Sequence, residues 1–326
     1  MRKYNIPIFI PHRGCPHDCA FCNQRKITGV DTDITPKVVE NQISEFLKTI
    51  DTENSTAEIA FFGGSFTGLE LETQEAFLKV AGMFFPNVSG IRLSTRPDYI
   101  NDDVIALLKK YNVTTVELGV QSSDDLVLQL NSRGHTFDDV IRASKLIKDS
   151  GIALGHQMML GMYGSNPQKD MKTVDDIIAL APACVRIYPV VILKDTALED
   201  LYNDGKYIPY SIMDAAELAK DVLCAFENKG IDVIRIGLHS SDELESDGNI
   251  ISGPYHQAFG ELVESLVFRE KIEAEIKSRR LCNCELLYPC SKNQVSKVIG
   301  HKKMNKDYFK SKYNIELKCF NKGEAK

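Results

Sequence analysis

Ile6-Pro7-Ile8-Phe9-Ile10-Pro11-His12-Arg13-Gly14-Cys15-Pro16-His17-Asp18-Cys19-Ala20-Phe21-Cys22 is the stretch whose reading decides the fold. Residues 6–11 are apolar and bounded by polar groups, which reads as a buried strand. The second half places three cysteines, spaced C-x3-C-x2-C, in a loop directly behind that strand. Downstream, the same strand-then-loop punctuation recurs. Short β-branched or aromatic runs at 58–62, 90–95, 114–120, 152–160, 183–191 and 231–236 alternate with helical patterns at 35–50, 73–84, 101–111, 124–130, 136–149, 169–180 and 211–229. Thr35-Pro36 and Asn101 read as helix openings. This alternation predicts right-handed βαβ units, a parallel sheet and an α/β fold. Six or more units in about 240 residues suit a curled (βα) barrel, complete or partial, better than a flat sheet. In such a barrel the cysteine loop lies on the face where active sites are built.

The expected organisation is a barrel at 1–240, a connecting segment and helix at 241–280, and a small basic cysteine-containing arm at 281–326. The helix carries Phe259, Leu262, Val263, Leu266 and Val267 on one side. Residues 268–326 hold 15 Lys and Arg against 7 Asp and Glu, a balance of +8. The chain as a whole carries −6, so the remainder carries −14. A basic tail on an acidic body points toward a polyanionic partner. No apolar run approaches the eighteen or so residues of a membrane span. The apolar run at the start lacks a cleavage site and runs into Pro11-His12-Arg13, so a cytoplasmic protein without membrane attachment is expected.

Nine cysteines, three of them within eight residues, suggest metal binding sooner than disulfides. Three thiolates are too few for a structural zinc or an electron-transfer cluster, each of which takes four protein ligands. Three thiolates on a four-iron cluster leave one iron open to an exogenous ligand. The competing reading is a zinc site completed by His12, His17 or a distant cysteine.

The spacing at Cys15, Cys19 and Cys22, with aromatic Phe21 before the last cysteine, resembles the signature of the radical S-adenosylmethionine superfamily. The resemblance implies a [4Fe–4S] cluster on these three cysteines. It also implies that S-adenosylmethionine chelates the open iron through its amino and carboxylate groups. An electron from the cluster then cleaves the sulfonium to methionine and a 5′-deoxyadenosyl radical, and an electron donor such as flavodoxin or ferredoxin is implied. Gly63-Gly64-Ser65, at the end of the second strand, resembles the family's glycine motif for the methionine amino group. Alternation on the fourth strand puts Glu117, Gly119 and Gln121 on one, inward face. The family resemblance gives Glu117 and Gln121 contacts to the ribose. Arg133 is a candidate partner for the methionine carboxylate, since a planar fork suits that group, or a helix-end arginine. Met158 and Met159 read as core.

Between Val116 and Tyr210 the resemblance sharpens. Gly119-Val120-Gln121-Ser122, Asn131-Ser132-Arg133-Gly134-His135-Thr136, Arg186-Ile187-Tyr188-Pro189 and Gly205-Lys206-Tyr207-Ile208-Pro209-Tyr210 resemble the radical domain of the Elongator catalytic subunit, which modifies tRNA. Oxygen-independent coproporphyrinogen oxidases are less similar. Tail lysines interleaved with Tyr308, Phe309 and Tyr313 suggest RNA held by phosphate contacts and base stacking, against a solvated helix that buries its aromatics. This makes tRNA the favoured substrate, with a porphyrin-like molecule or a non-enzymatic metal-stabilised RNA-binding protein as alternatives. Elongator-type chains continue into an acetyltransferase domain for which 326 residues leave no room, so acetyl transfer is not implied. Cys282, Cys284 and Cys290, with Cys319, are candidates for a second site, zinc or an auxiliary cluster, without an obvious fourth ligand.

Overall fold

The computed structural model describes residues 2–10, 15, 18–23, 34–51, 54–238, 242–246 and 248–321. His12 and His17 lie outside the described residues. Seven parallel strands form one sheet in the order β1 (Arg2–Ile10), β2 (Ser55–Gly63), β3 (Gly90–Thr95), β4 (Val113–Gln121), β5 (Ala153–Leu160), β6 (Cys184–Pro189) and β8 (Asp232–Ile236). β1 and β8 are its two edges, so the curled sheet is a half-barrel that stays open.

The helices between them are α1 (Pro36–Thr49), α2 (Leu71–Gly82), α3 (Asp102–Lys110), α4 (Asp125–Leu130), α5 (Phe137–Asp149), α6 (Pro167–Leu180), α7 (Ala197–Asn203) and α8 (Ile212–Glu227). Their starts follow local chemistry. Thr35, Asn101 and Asn166 each accept a backbone N–H of the first turn, and Thr136 and Asp139 form a reciprocal capping box. Asn166-Pro167 opens α6 two residues ahead of the expected 169, because an asparagine cap followed by proline is itself a helix start. The first strand begins at Arg2 rather than 6, since Arg2–Asn5 pair in register with Ser55–Glu58.

Strand period two sorts the side chains. Ile6, Ile8 and Ile10, Ile59 and Phe61, Ile91 and Leu93, Val116, Leu118 and Val120, and Val185 and Ile187 all face the helices in one buried core. Burying each of these is worth about 1.5–3 kcal/mol. Met158 joins that core and Met159 a smaller one, so both are packing residues as expected. The alternate positions, Glu58, Arg92, Glu117, Gly119, Gln157 and Arg186, turn to the concave side. The strand expected at 183–191 ends at Pro189, and just beyond it β7 (Ile192–Leu193) leaves the main sheet to pair antiparallel with β9 (Ile250–Ser252).

After the short α9 (Asp242–Glu245), α10 (Phe259–Arg279) serves two cores. Its first half gives Phe259, Leu262, Val263, Leu266 and Val267 to the barrel. Its second half gives Ile272 and Ile276 to a separate core with Leu286, Cys290, Val298, Phe309, Ile315 and Leu317. That second core is closed by parallel β10 (Glu285–Cys290) and β11 (Glu316–Asn321) with α11 (Val295–Ile299) and α12 (Met304–Tyr313). Residues 281–321 are therefore a packed module. No helix of the described residues is long and apolar enough to cross a membrane.

Candidate active site

The cysteine loop is pinned by backbone hydrogen bonds from distant elements. Ala20 N–H donates to Asn131 O at 3.1 Å, and Leu198 N–H at the start of α7 donates to Ala20 O at 2.8 Å. Cys22 N–H closes a turn onto Cys19 O at 2.9 Å. Phe21 packs on a small apolar cluster that includes Val127, Met159, Met162 and Leu198. Burial, then the neighbouring Cys19 and Cys15, push the Cys22 thiol up to about 12. Burial and Cys19 raise Cys15 too, while a backbone N–H from Ser65 and the charges of Arg133 and Arg96 pull it down. Three half-buried thiols that repel one another as anions, with guanidinium groups nearby, are a donor set a cationic iron–sulfur core would stabilise.

The glycine motif adjoins this loop. Gly63 sits at φ +99°, and a Cβ there would stand 3.1 Å from Ile10 O. Gly64 N–H donates to that same carbonyl at 2.7 Å. The end of β2 is thus folded across the end of β1, where the cysteine loop departs, and only glycine fits. Ser65 is buried, with its hydroxyl 2.8 Å from that of Thr95 and accepting Arg96 N–H at 3.2 Å.

Arg133 is the most informative side chain. It is only 7% exposed, and its Nη1 donates to Cys19 Sγ at 3.1 Å while Nη2 donates to Gly119 O at 2.9 Å. Gly119 permits this approach: a Cβ there would lie 3.3 Å from Nη2 and 2.8 Å from Gln121 Nε2. Gln121 takes a left-handed φ of +67° at a register shift in β4 and accepts from Gln157 Nε2 at 3.2 Å. Such backbone strain concentrates at functional sites. Beside Arg133, His135 is buried and its Nε2 lies 3.3 Å from Val120 O. A carbonyl only accepts, so Nε2 carries the proton and Nδ1 is a bare acceptor, without a partner among the described residues. Burial, then Arg133 and Arg96, hold this imidazole neutral, with its pKa down to about 3.

Glu117 is buried on the concave side as alternation required, but it is already engaged. It binds Arg92 Nη1 at 2.9 Å and is held by Arg186 through Nε, and at 3.2 Å through Nη2. Arg92 continues to Glu58 at 2.9 Å, and Arg186 lies over the Phe62 ring. The ladder Glu58–Arg92–Glu117–Arg186 holds four strands together beneath the loop.

Several residues of this face had no nomination from the sequence. Arg96, buried, forms a two-pronged pair with Asp98, both bonds 3.0 Å, and lies over the Tyr99 ring. Asp170, at the start of α6, accepts from Gly161 N–H at 2.9 Å and Ser165 Oγ at 2.5 Å, and Tyr207 donates to Gly161 O at 2.6 Å. Burial pushes the Asp170 carboxyl up to about 6. Asp170 sits in an ordinary helical pattern, so no local signal marks it. Tyr207 and Tyr210 belong to the 205–210 stretch that resembles the Elongator subunit, but the bonds of Tyr207 to Gly161 and of Tyr210 to Asp170 are tertiary.

Among the described residues, no three His, Cys, Asp or Glu side chains form a ready metal cage, here or in the C-terminal module. The two sets depart from one differently. At the first loop the thiols are near enough to perturb one another. In the module Cys282 is exposed, Cys284 half-buried, and Cys290 buried in the module core with Cys319 against it. The aromatics of the tail are also spoken for. Phe309 is buried, and Tyr308 and Tyr313 donate to Glu273, both at 2.7 Å. Phe309 closes the module's own core and the half-buried Tyr308 and Tyr313 pack against it, as the alternative of a helix burying its aromatics expects.

Comparison with known proteins places this geometry. The family model "Radical SAM superfamily" matches residues 9–177, and "Radical_SAM C-terminal domain" matches 182–269. A tRNA uridine(34) acetyltransferase of Methanocaldococcus jannaschii is 28% identical over 245 residues, 63% of this chain and 45% of the relative. Human Elongator complex protein 3 is 27% identical over 201 residues, 55% of this chain and 37% of the relative. The chain thus spans about half the length or less of these curated relatives. Among solved structures, Methanocaldococcus infernus Elp3 with an N-terminal deletion superposes with a TM-score of 0.65 at 25% identity, covering 83% of this chain and 63% of that one. Escherichia coli coproporphyrinogen III oxidase does so at 0.52 and 16% identity, covering 70% and 52%, which is a likeness of fold alone. The half-barrel, its cysteine loop and these matches together identify the chain as a member of the radical S-adenosylmethionine superfamily, an enzyme class whose members use S-adenosylmethionine and a [4Fe–4S] cluster.

Proposed function

We propose that the chain is a radical S-adenosylmethionine enzyme that modifies RNA of the tRNA class. Cys15, Cys19 and Cys22 would hold the cluster, and Phe21, Gly63, Gly64, Ser65, Gln121 and Arg133 would surround the cofactor. Bound together, the cluster and S-adenosylmethionine supply one-electron cleavage of the sulfonium to methionine and a 5′-deoxyadenosyl radical. The chain's own part is to hold and shield. Phe21 and its apolar cluster exclude water beside the loop, the Gly63 turn brings Ser65 to Cys15, and Arg133 adds positive charge at Cys19. Glu117 would act through Arg92 and Arg186, keeping the strand ends in register, rather than as a direct ribose contact. A flavodoxin or ferredoxin would deliver the electron.

The observation that carries the tRNA reading is the similarity, through most of the barrel, to a protein named as a tRNA uridine(34) acetyltransferase. The charge pattern of the module supports it. Lys312, Lys318 and Lys297 are tied to Glu273, Glu285 and Glu264. Lys302, Lys303, Lys306 and Lys310 have no carboxylate partner among the described residues. With the exposed Lys292, these four have charge to offer phosphates.

The test has two arms. Anaerobically reconstituted protein with dithionite and S-adenosylmethionine should yield 5′-deoxyadenosine, and its absence under every reducing condition would end the radical reading. Affinity for tRNA should fall steeply with salt. Replacing Lys302, Lys303, Lys306 and Lys310 by Gln should weaken binding and flatten the log–log salt slope by up to about 3. An unchanged slope would remove RNA from the proposal.

A further inference from the structure

We infer that Arg133 is a positioning residue that raises the reduction potential of the iron–sulfur cluster through its hydrogen bond to Cys19. This rests on the cluster reading of Cys15, Cys19 and Cys22. Three observations converge on it. Nη1 donates to Cys19 Sγ at 3.1 Å, so the guanidinium is aimed at one specific thiol of the trio. Nη2 is fastened at 2.9 Å to Gly119 O, an approach that a Cβ at residue 119 would crowd at 3.3 Å. And although 93% buried, Arg133 forms no ion pair with a carboxylate among the described residues, and its Nε has no partner there.

A buried guanidinium without a counter-charge is costly, and natural sites retain one where an anion completes it. The anion here is the thiolate set. A [4Fe–4S] core in its oxidised state with three thiolates is a monoanion, and one electron makes it a dianion. A fixed positive charge and a hydrogen bond to sulfur both stabilise the dianion more, so both raise the potential. No proton or bond changes in this step. One electron arrives from the external donor and stays on the cluster. The same geometry accounts for the Asn131–His135 turn: Asn131 holds Ala20 of the cysteine loop by its carbonyl, and Arg133, two residues on, reaches the sulfur. A single turn fixes the loop and tunes it.

The experiment is an EPR-monitored redox titration of the reconstituted holoenzyme and of Arg133→Gln and Arg133→Lys, each without S-adenosylmethionine. Arg133→Gln should lower the potential by about a tenfold change in the one-electron equilibrium constant, about 59 mV. Arg133→Lys, which keeps the charge and loses the fork, should recover part of that shift. Equal potentials for all three proteins, at equal iron content, would overturn the inference while leaving the cluster reading intact. Wild-type protein that takes up no iron would instead sink the cluster reading itself. Should Arg133→Gln fail to assemble a cluster, Gly119→Ala supplies the second variant. Its Cβ would stand 2.8 Å from Gln121 Nε2 and crowd Arg133 Nη2 at 3.3 Å, so the guanidinium must give ground, and the variant must lower the potential in the same direction or the inference fails.

Discussion

The cysteine-loop face of the half-barrel and the C-terminal module have similar ingredients and opposite logic. Each carries three cysteines in one short stretch, basic side chains, and a carboxylate that collects several donors. On the barrel face, polar atoms are buried and left open: Arg133 Nε, His135 Nδ1 and Asn131 Oδ1 have no partner among the described residues. In the module the carboxylate hub is matched, and Asn305 Oδ1 is the one buried polar side-chain atom left without a partner among its described residues. Glu273 accepts from Tyr308, Tyr313 and Lys312, and Asn305 Nδ2 donates to the carbonyls of Ser265, Lys297 and Val298. Unsatisfied buried groups cost free energy, so a fold retains them where something else completes them. Saturated groups are scaffolding. The cysteines follow the same division, crowded at the loop and dispersed between surface and core in the module.

The largest effect that would break this contrast concerns metal. Replacing Cys15, Cys19 or Cys22 by Ala should abolish the roughly four irons per chain expected of reconstituted protein, with loss of its brown colour. Replacing Cys282 and Cys284 together should leave iron and zinc content unchanged. Metal lost from that second variant would show that the module, too, is built around a ligand.

The two carboxylate hubs offer a smaller and more quantitative comparison. Glu117 has a side chain only 2% exposed between Arg92 and Arg186, whereas Glu273 is 17% exposed. Glu117→Gln would strand a buried guanidinium and should cost about 3 kcal/mol in chemical denaturation. A cost below about 1 kcal/mol would mean that the ladder relaxes and does not hold the strands in register.

Glu273→Gln should cost less, about 1 kcal/mol at neutral pH. Its pH dependence carries the diagnosis. Burial pushes the Glu273 carboxyl up, but hydrogen bonds from Lys312, Tyr313 and Tyr308 together outweigh it and hold it down at about 2. A depressed folded-state value means that its contribution is present above the ordinary glutamate range near 4.3 and is lost as pH falls through about 2. Wild type and variant should therefore converge in stability on acidification to about pH 2. A gap that stays constant from neutral pH downward would assign the loss to packing instead of the ionised hub.

How much of this was legible in the sequence follows the range of the interactions. Helix starts at Thr35, Asn101 and Thr136 were readable because a cap is satisfied within three residues of itself. The parallel sheet was readable because each strand announces its period independently, and the three-cysteine loop because its ligands share eight residues. The aromatic and lysine pattern of 300–313 left two readings open for a related reason. Alternation of charge and ring looks the same whether the rings face a base or a core, and only Ile272, Ile276 and Leu317 on other elements decide that Phe309 faces inward.

By itself, the sequence determined the fold class, the family and the three-cysteine loop, all of which rest on contacts short along the chain. Tertiary structure alone decided the rest. Arg133 meets Cys19 across 114 positions, Glu117 meets Arg186 across 69, and Tyr207 meets Gly161 across 46. Each pairing depends on curvature of the sheet bringing strand ends together, and on a missing Cβ at Gly119 or Gly155 that leaves room for the partner. A sequence records that those positions are glycine. It does not record which side chain enters the space, because that is fixed by packing among strands that are far apart in the chain.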